Sequence, residues 1–225
     1  MEKSKRYRMA GILLLVFLIP FLLYSGQQEQ KIKKVKTIIV NNFEKGSIWN
    51  SLENRSGAFQ KEPSYCFVDL GENKPGSRYI ETSGHYLILD YAKKTEGGPG
   101  NEGGWCGWYT LLKTDDNIYL NLTGYNYIRF YFKPVNGNED FIVGMADKKW
   151  DLIEDSVKLQ NPVKDYVTKK FKSGWLEVII PFSDFEDLCL DRMSSFAIVF
   201  EPGKGTLYMD NITIGYDPKY DSSTY

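Results

Sequence analysis

The chain has 225 residues, a length that fits one domain, or one domain with an appendage. Its 28 Lys and Arg residues nearly cancel its 29 Asp and Glu residues, so no basic excess points to nucleic-acid binding. Hydrophobic residues make up 42% of the chain, which indicates a folded core. The single histidine excludes a multi-histidine metal site and disfavours a histidine-based catalytic triad.

Residues 1–26 have the pattern of an export signal. Basic residues precede an uncharged apolar run over residues 9–24, which Pro20 interrupts. The run is slightly shorter than the ~20 residues that span a bilayer as a helix. Leu23 and Tyr24 fit the small-residue rule for cleavage poorly, so a cleaved signal peptide and a retained membrane anchor both stay open. In either case the charge asymmetry predicts an exported protein that is periplasmic, secreted or held at the cell surface.

Residues 37–216 alternate in the manner of a sheet protein. Polar residues 27–36 are predicted to form a linker, and residues 217–225 a flexible tail. The predicted strands cover residues 37–42, 78–82, 85–92, 106–112, 127–133, 175–181, 195–201 and 206–215. Many short strands separated by turn residues predict an all-β fold, an antiparallel β-sandwich.

The strand over residues 127–133 shows the alternation most clearly and offers a candidate binding face. Because side chains alternate across a strand, one set points inward and is predicted to continue on the next strand. That inward set is Ile128, Phe130, Phe132, Phe141, Val143 and Met145. The outward residues Tyr127, Arg129 and Tyr131 combine aromatic rings with a guanidinium, as sugar recognition requires. An ordinary half-exposed strand, covered by other elements, is the alternative.

Other residues are predicted to complete this face. The small residues Gly144 and Ala146, predicted on the same face of the neighbouring strand, would leave a groove. Trp105, Gly107 and Tyr109 would join the face if their strand lies beside these two. Trp108 alternates with Trp105, so one of the two tryptophans belongs to the core. Two further ligand-binding candidates, Trp150 and Asp147, lie in a loop that could overhang the face.

The predicted export determines which redox environment the three cysteines would meet. Cys66, Cys106 and Cys189 would meet an oxidising compartment, where one disulfide can form. Because three is an odd number, at least one cysteine stays free or pairs between chains. None of them belongs to a C-x-x-C pair, which disfavours metal or redox use.

Several segments resemble galactose-binding-like jelly-roll domains. They are Asn42-Phe43-Glu44-Lys45-Gly46 near the start, residues 86–91 and 104–108, residues 175–185 and the closing segment 200–212. The chain resembles family 11-like carbohydrate-binding modules and, as a relative, the complex I intermediate-associated protein family. The resemblance implies a jelly-roll sandwich, but a fold does not by itself fix a function.

This resemblance also implies a structural calcium ion between the first and last strands. Glu44 and Asp210 stand at the positions of the usual acidic ligands, and calcium takes six to eight oxygen ligands. The chain has the neutral residues Asn41, Asn42 and Asn211 where family members often have acidic ones, which lowers the expected affinity.

The sequence therefore predicts a non-catalytic, exported carbohydrate-binding module that recognises a polysaccharide or glycoconjugate. The alternative is an envelope-anchored module of the same fold that binds a partner protein. A glycoside hydrolase is a third interpretation, for which the carboxylates within residues 147–155 would serve. No nucleophile-elbow, zinc-protease or phosphate-loop motif supports an enzyme.

Overall fold

The structure is a computed structural model and describes residues 36–47, 49–72, 84–115 and 117–221. The predicted export segment, most of the predicted linker and the predicted strand at 78–82 lie outside the described residues. Within the described part of the chain, no helix is both long and apolar enough to cross a bilayer.

Strands dominate the described chain. Twelve are formed: β1 (Thr37–Asn41), β2 (Ser56–Lys61), β3 (Tyr65–Glu72), β4 (His85–Lys93), β5 (Trp105–Leu111), β6 (Tyr127–Pro134), β7 (Phe141–Asp147), β8 (Val157–Lys158), β9 (Val167–Lys170), β10 (Leu176–Pro181), β11 (Met193–Phe200) and β12 (Gly203–Gly215). Among the described residues, helical structure is limited to α1 (Lys148–Asp151) and to 3₁₀ turns at Pro99–Asn101, Val163–Tyr166, Phe182–Asp184, Leu190–Arg192 and Pro218–Tyr220. Each predicted strand that falls on described residues is present, with ends within about three residues.

The strands form two antiparallel sheets that pack face to face. A seven-stranded sheet has the order β3-β4-β12-β6-β10-β9, with β1 also paired to β12. A five-stranded sheet has the order β2-β5-β11-β7-β8. The predicted antiparallel β-sandwich is confirmed.

The inward side chains of both sheets form one core. All six residues of the predicted inward set belong to it, and Trp108 is fully buried there. Trp105 on the opposite face of β5 is 45% exposed, which assigns the core role to Trp108.

The prediction that β6 and β7 lie side by side in one sheet is wrong. These strands lie in different sheets, because residues 135–140 carry the chain from one sheet across to the other. The inward set is nevertheless continuous, since Phe132 and Phe141 meet across the interior with ring centroids 5.3 Å apart and an interplanar angle of 89°. Gly144 and Ala146 therefore cannot form a groove with Arg129 and Tyr131.

β12 is the strand that unites the larger sheet. Its first half, Gly203 to Met209, pairs with β4, and its last residues pair with β1 along the same edge. On its other edge it pairs with β6. Leu207, Met209, Ile212 and Ile214 enter the core from it, so one strand holds three others in register.

Candidate ligand-binding face

The outer face of the five-stranded sheet carries exposed aromatic side chains. Phe59 on β2 and Trp105 and Tyr109 on β5 point away from the core, and we call these three residues the platform. Phe59 and Tyr109 are half-buried, and Trp105 is the most exposed of the three. An aromatic side chain that stays exposed on a sheet face is available to a ligand.

Gly107 fixes the arrangement of the platform. A Cβ atom at this position would lie 2.4 Å from Cζ of Phe59, so only glycine lets the Phe59 ring lie across β5. In that position the Phe59 ring meets Trp105 with centroids 5.8 Å apart and planes tilted by 51°. The contact holds Trp105 in place while leaving much of its surface open.

Small residues form a floor beside the platform. Across the ladder, Gly57 lies opposite Tyr109, Tyr109 opposite Ala197, and Ala197 opposite Gly144. A Cβ atom on Gly57 would lie 3.6 Å from the Tyr109 ring, so this ring extends over the β2 backbone. Since the half-buried Ala197 projects little, the face has a shallow trough over β11, and Gly144 next to it on β7 is buried.

Polar groups stand at the end of the trough away from the platform. A Cβ atom at Gly144 would lie 2.6 Å from Oγ of Ser156, which places that hydroxyl over the floor. Lys158, opposite Gly144 in the ladder, pairs with Asp155 at 3.5 Å. The face thus offers an aromatic side and a hydrogen-bonding side, which is the composition of a ligand site.

The outer face of the seven-stranded sheet is also aromatic, but its central rings are buried. We call its members the outer aromatic cluster: Tyr86, Tyr131, Phe171, Trp175 and Tyr208. Tyr131 is 5% exposed and Trp175 is 3% exposed. Trp175 is buried in this cluster and not in the main core.

Arg129 and Tyr131 are engaged with neighbouring side chains on this face. The Tyr131 hydroxyl donates to Oε1 of Glu177 at 2.8 Å. Burial, followed by this bond to a carboxylate, raises the pKa of Tyr131 to about 12. Nε of Arg129 donates to Oγ1 of Thr213 at 3.2 Å, and its guanidinium lies 5.9 Å from the centre of the Tyr131 ring. These contacts organise the sheet surface.

Of the other predicted ligand-binding residues, Tyr127 lies at the end of the seven-stranded face, and Asp147 and Trp150 lie at and just beyond the end of β7. Tyr127 is buried against Tyr220, with ring centroids 5.5 Å apart. Asp147 caps α1, since its Oδ1 accepts from the backbone N–H groups of Lys149 and Trp150 at 2.8 and 3.1 Å. Trp150 packs partly buried against the core. The seven predicted residues are therefore not brought together, and only Trp105 and Tyr109 share the five-stranded face.

Asp151, in the acidic segment that a hydrolase would use, is tied to three side chains. Its oxygens accept from Nζ of Lys113 at 2.6 Å, from the Tyr119 hydroxyl at 3.0 Å and from the Ser194 hydroxyl at 2.8 Å. Burial alone would raise the pKa of Asp151, but these donors outweigh it and lower the pKa. Asp151 is thus held as an anion that joins α1 to the segment between β5 and β6 and to β11.

The two predicted calcium ligands have separate backbone partners. Oε1 of Glu44 accepts from the N–H of Gly84 at 2.6 Å, and Oδ1 of the buried Asp210 accepts from the N–H of Asn211 at 2.6 Å. Among the described residues, no group of three or more His, Cys, Asp or Glu side chains is placed to hold a metal ion. A calcium site here would need backbone and amide oxygens besides these two carboxylates. Calcium binding stays a prediction.

A cleft of about 590 Å³ opens at the end of the sandwich where β6 begins. Its polar groups include Asn126, whose Nδ2 donates to the backbone oxygen of Asp217 and to Oδ1 of Asp221, both at 2.8 Å. The N–H of Asp217 donates to Oδ1 of Asn126 at 2.9 Å. The Asn126 amide therefore holds the segment after β12 in place and is already saturated.

The fold is that of a carbohydrate-binding module. A family 11 module from Clostridium thermocellum, solved with a β-1,3-1,4-mixed-linked tetrasaccharide, is similar with 18% identity and a TM-score of 0.53, over 79% of this chain and 94% of that one. The family 11 module of a cellulosomal cellulase from the same organism is similar with 17% identity and a TM-score of 0.52, over 80% of this chain and 94% of that one. At these identities the similarity concerns the fold.

The chain belongs to the carbohydrate binding domain 30 family, whose model matches residues 74–216. A family 30 module of a Clostridium thermocellum cellulosomal cellulase shares 19% identity, with a TM-score of 0.46 over 69% of this chain and 92% of that one. No curated protein matches the sequence. The predicted resemblance to family 11 modules is confirmed, whereas the relation to complex I intermediate-associated proteins stays a prediction.

Proposed function

We propose that the outer face of the five-stranded sheet binds a polysaccharide without chemically changing it. The observation that carries this proposal is the exposed Trp105, held by Phe59 beside a trough of small residues. The apolar C–H face of a sugar ring stacks on an aromatic side chain, and its hydroxyl groups need hydrogen-bond partners. The platform meets the first requirement, and Ser156, Asp155 and Lys158 meet the second.

The proposal includes no catalytic step. In the acidic segment, Asp147 caps α1, and Asp151 joins α1 to the segment between β5 and β6 and to β11, so both carboxylates have roles in holding the fold. Hydrolysis would need a raised pKa in one carboxylic acid, whereas the pKa of Asp151 is lowered.

Calorimetry with the full chain tests the proposal. The first probe is the β-1,3-1,4-mixed-linked tetrasaccharide, since a similar module was solved with it. Trp105→Ala should weaken binding by at least tenfold, because truncating a central aromatic anchor typically costs about 2 kcal/mol or more. Phe67→Ala is the matched control, since Phe67 is 63% exposed but lies on β3 of the other sheet.

Arg129→Ala distinguishes the two sheet faces. Binding that survives this change and is lost in Trp105→Ala supports the five-stranded face. The opposite result would assign the ligand to the seven-stranded face, where the sequence predicted it. A glycan array with no binding, together with a protein that co-purifies with the chain, would support the protein-interaction alternative.

The export of the protein, through either a cleaved signal or a retained membrane anchor, is part of the proposal. It rests on the basic start and apolar run of residues 1–26. Fractionation of cells that produce the full chain, with N-terminal sequencing of the recovered protein, distinguishes a cleaved signal from a retained anchor. A full-length protein in the cytoplasmic fraction would contradict both.

A further inference from the structure

Two cysteines, Cys66 and Cys106, lie near the corner where the chain passes from one sheet to the other. β2 belongs to the five-stranded sheet and β3 to the seven-stranded sheet, so residues 62–64 form that corner. It is closed by a bond from the Ser64 N–H to the Lys61 oxygen at 3.1 Å. The segment before β5 packs directly against it, since a Cβ atom on Gly104 would lie 2.0 Å from the Lys61 oxygen and 2.8 Å from Oγ of Ser64.

Cys66 and Cys106 each lie two residues beyond this contact, one on each strand. Cys66 follows Ser64 into β3, and Cys106 follows Gly104 into β5. The N–H of Cys66 donates to Oε1 of Gln60 at 2.9 Å, and Gln60 lies opposite Cys106 in the β2–β5 ladder. Both side chains point into the same core, with exposures of 3% and 0%. Both cysteines are free in the structure, and their side chains enter one core from strands of facing sheets.

We propose that Cys66 and Cys106 form an intramolecular disulfide when the protein folds under oxidising conditions. A small disulfide such as oxidised glutathione is the oxidant. One protein thiolate attacks it, forming a mixed disulfide and releasing one glutathione thiolate. The second protein thiolate then attacks the bound cysteine sulfur and releases the other. The protein loses two electrons and two protons, and the oxidant becomes two molecules of reduced glutathione.

Burial determines when this step takes place. It raises the pKa of Cys66 to about 12, with the nearby Cys106 as the next cause, and it raises the pKa of Cys106 to about 11. Because the thiolate is the reacting form, both thiols exchange slowly once the sandwich is closed. The bond therefore forms during folding, before the corner is sealed. Cys189 is exposed and takes no part.

The proposal can be tested by refolding the full chain that carries Cys189→Ser in a detergent buffer. One sample refolds with reductant and the other with a mixture of reduced and oxidised glutathione. Each is then denatured without reductant, and its free thiols are tagged with a maleimide polymer. We expect two tags on the reduced sample, and no tag with an intact mass two hydrogens lower on the oxidised sample. The oxidised protein should also melt higher, by roughly 5–15 °C, as expected for a closed loop of this length.

Three results would overturn the proposal: two tags on both samples, a disulfide-linked dimer, or glutathione retained on the protein. Cys66→Ser combined with Cys189→Ser is the matched control and should carry one tag under either condition. If that variant does not fold, the comparison of the two Cys189→Ser samples still decides the question.

Discussion

Replacing Glu139 by Gln should destabilise the turn between β6 and β7. Glu139 is 8% exposed. One carboxylate oxygen accepts from the N–H groups of Asn136 and Thr206 at 2.8 and 3.3 Å, and the other from those of Gly137 and Asn138 at 2.9 and 3.1 Å. Glutamine keeps one acceptor and turns an NH₂ group toward two donors. Losing two bonds to a charged acceptor, partly replaced by water, should cost about 2–3 kcal/mol of unfolding free energy at pH 7.

The same bonds make this contribution depend on pH. Burial alone would raise the pKa of Glu139, but the backbone N–H donors, led by that of Asn136, outweigh it and hold the pKa below its ordinary value. A carboxylate with a lowered folded pKa adds stability above its unfolded pKa and loses it as the pH falls through the folded value. Glutamine does not titrate, so the stability difference between the natural chain and Glu139→Gln should shrink from pH 5 toward pH 3.

Urea unfolding at pH 7, 5, 4 and 3 measures that difference. Asp140→Asn is the matched control, because its carboxylate is exposed and accepts from the N–H of the next residue, at 2.9 Å. It should change stability by less than about 0.5 kcal/mol at any pH. A Glu139→Gln effect that stays constant between pH 7 and pH 3 would refute the reasoning.

Two further predictions concern the core and the calcium site. Trp108→Ala should lower the unfolding free energy by about 3–5 kcal/mol, whereas Trp105→Ala should cost less than about 1 kcal/mol, since only Trp108 is fully buried. Equal losses in thermal melts of the two variants would contradict this assignment of the tryptophans. Calcium added to the chelator-treated chain should release heat and raise Tm, and Asp210→Asn should abolish both effects. The absence of heat and of a Tm gain in the natural chain would remove the predicted site.

The fold could be predicted from local patterns because the core residues alternate. Ile128, Phe130 and Phe132 occupy every second position of β6, and all three are buried as predicted. Local alternation does not reveal which sheet a strand joins, however. β7 follows β6 after a short turn, and only the pairing across space shows that it crosses to the other sheet.

The candidate site was predicted in part for the same reason. Alternation correctly placed Tyr131 on an outward face, but it contains no information on what covers that face, and Tyr131 is buried. Phe59 was missed, because β2 has few buried residues and its sequence Ser-Gly-Ala-Phe-Gln-Lys lacks a clear period. The usable signal was the pair Gly57 and Gly107, since glycine inside a strand often marks a close approach.

The position of β12 has a consequence for how the protein is made. This strand forms the centre of the larger sheet, yet it is the last of the described strands in the chain. β1, β4 and β6 all pair with it. A nascent chain that extends only as far as β11 therefore lacks the central strand of its larger sheet. That sheet can close only after residue 215 has emerged from the ribosome.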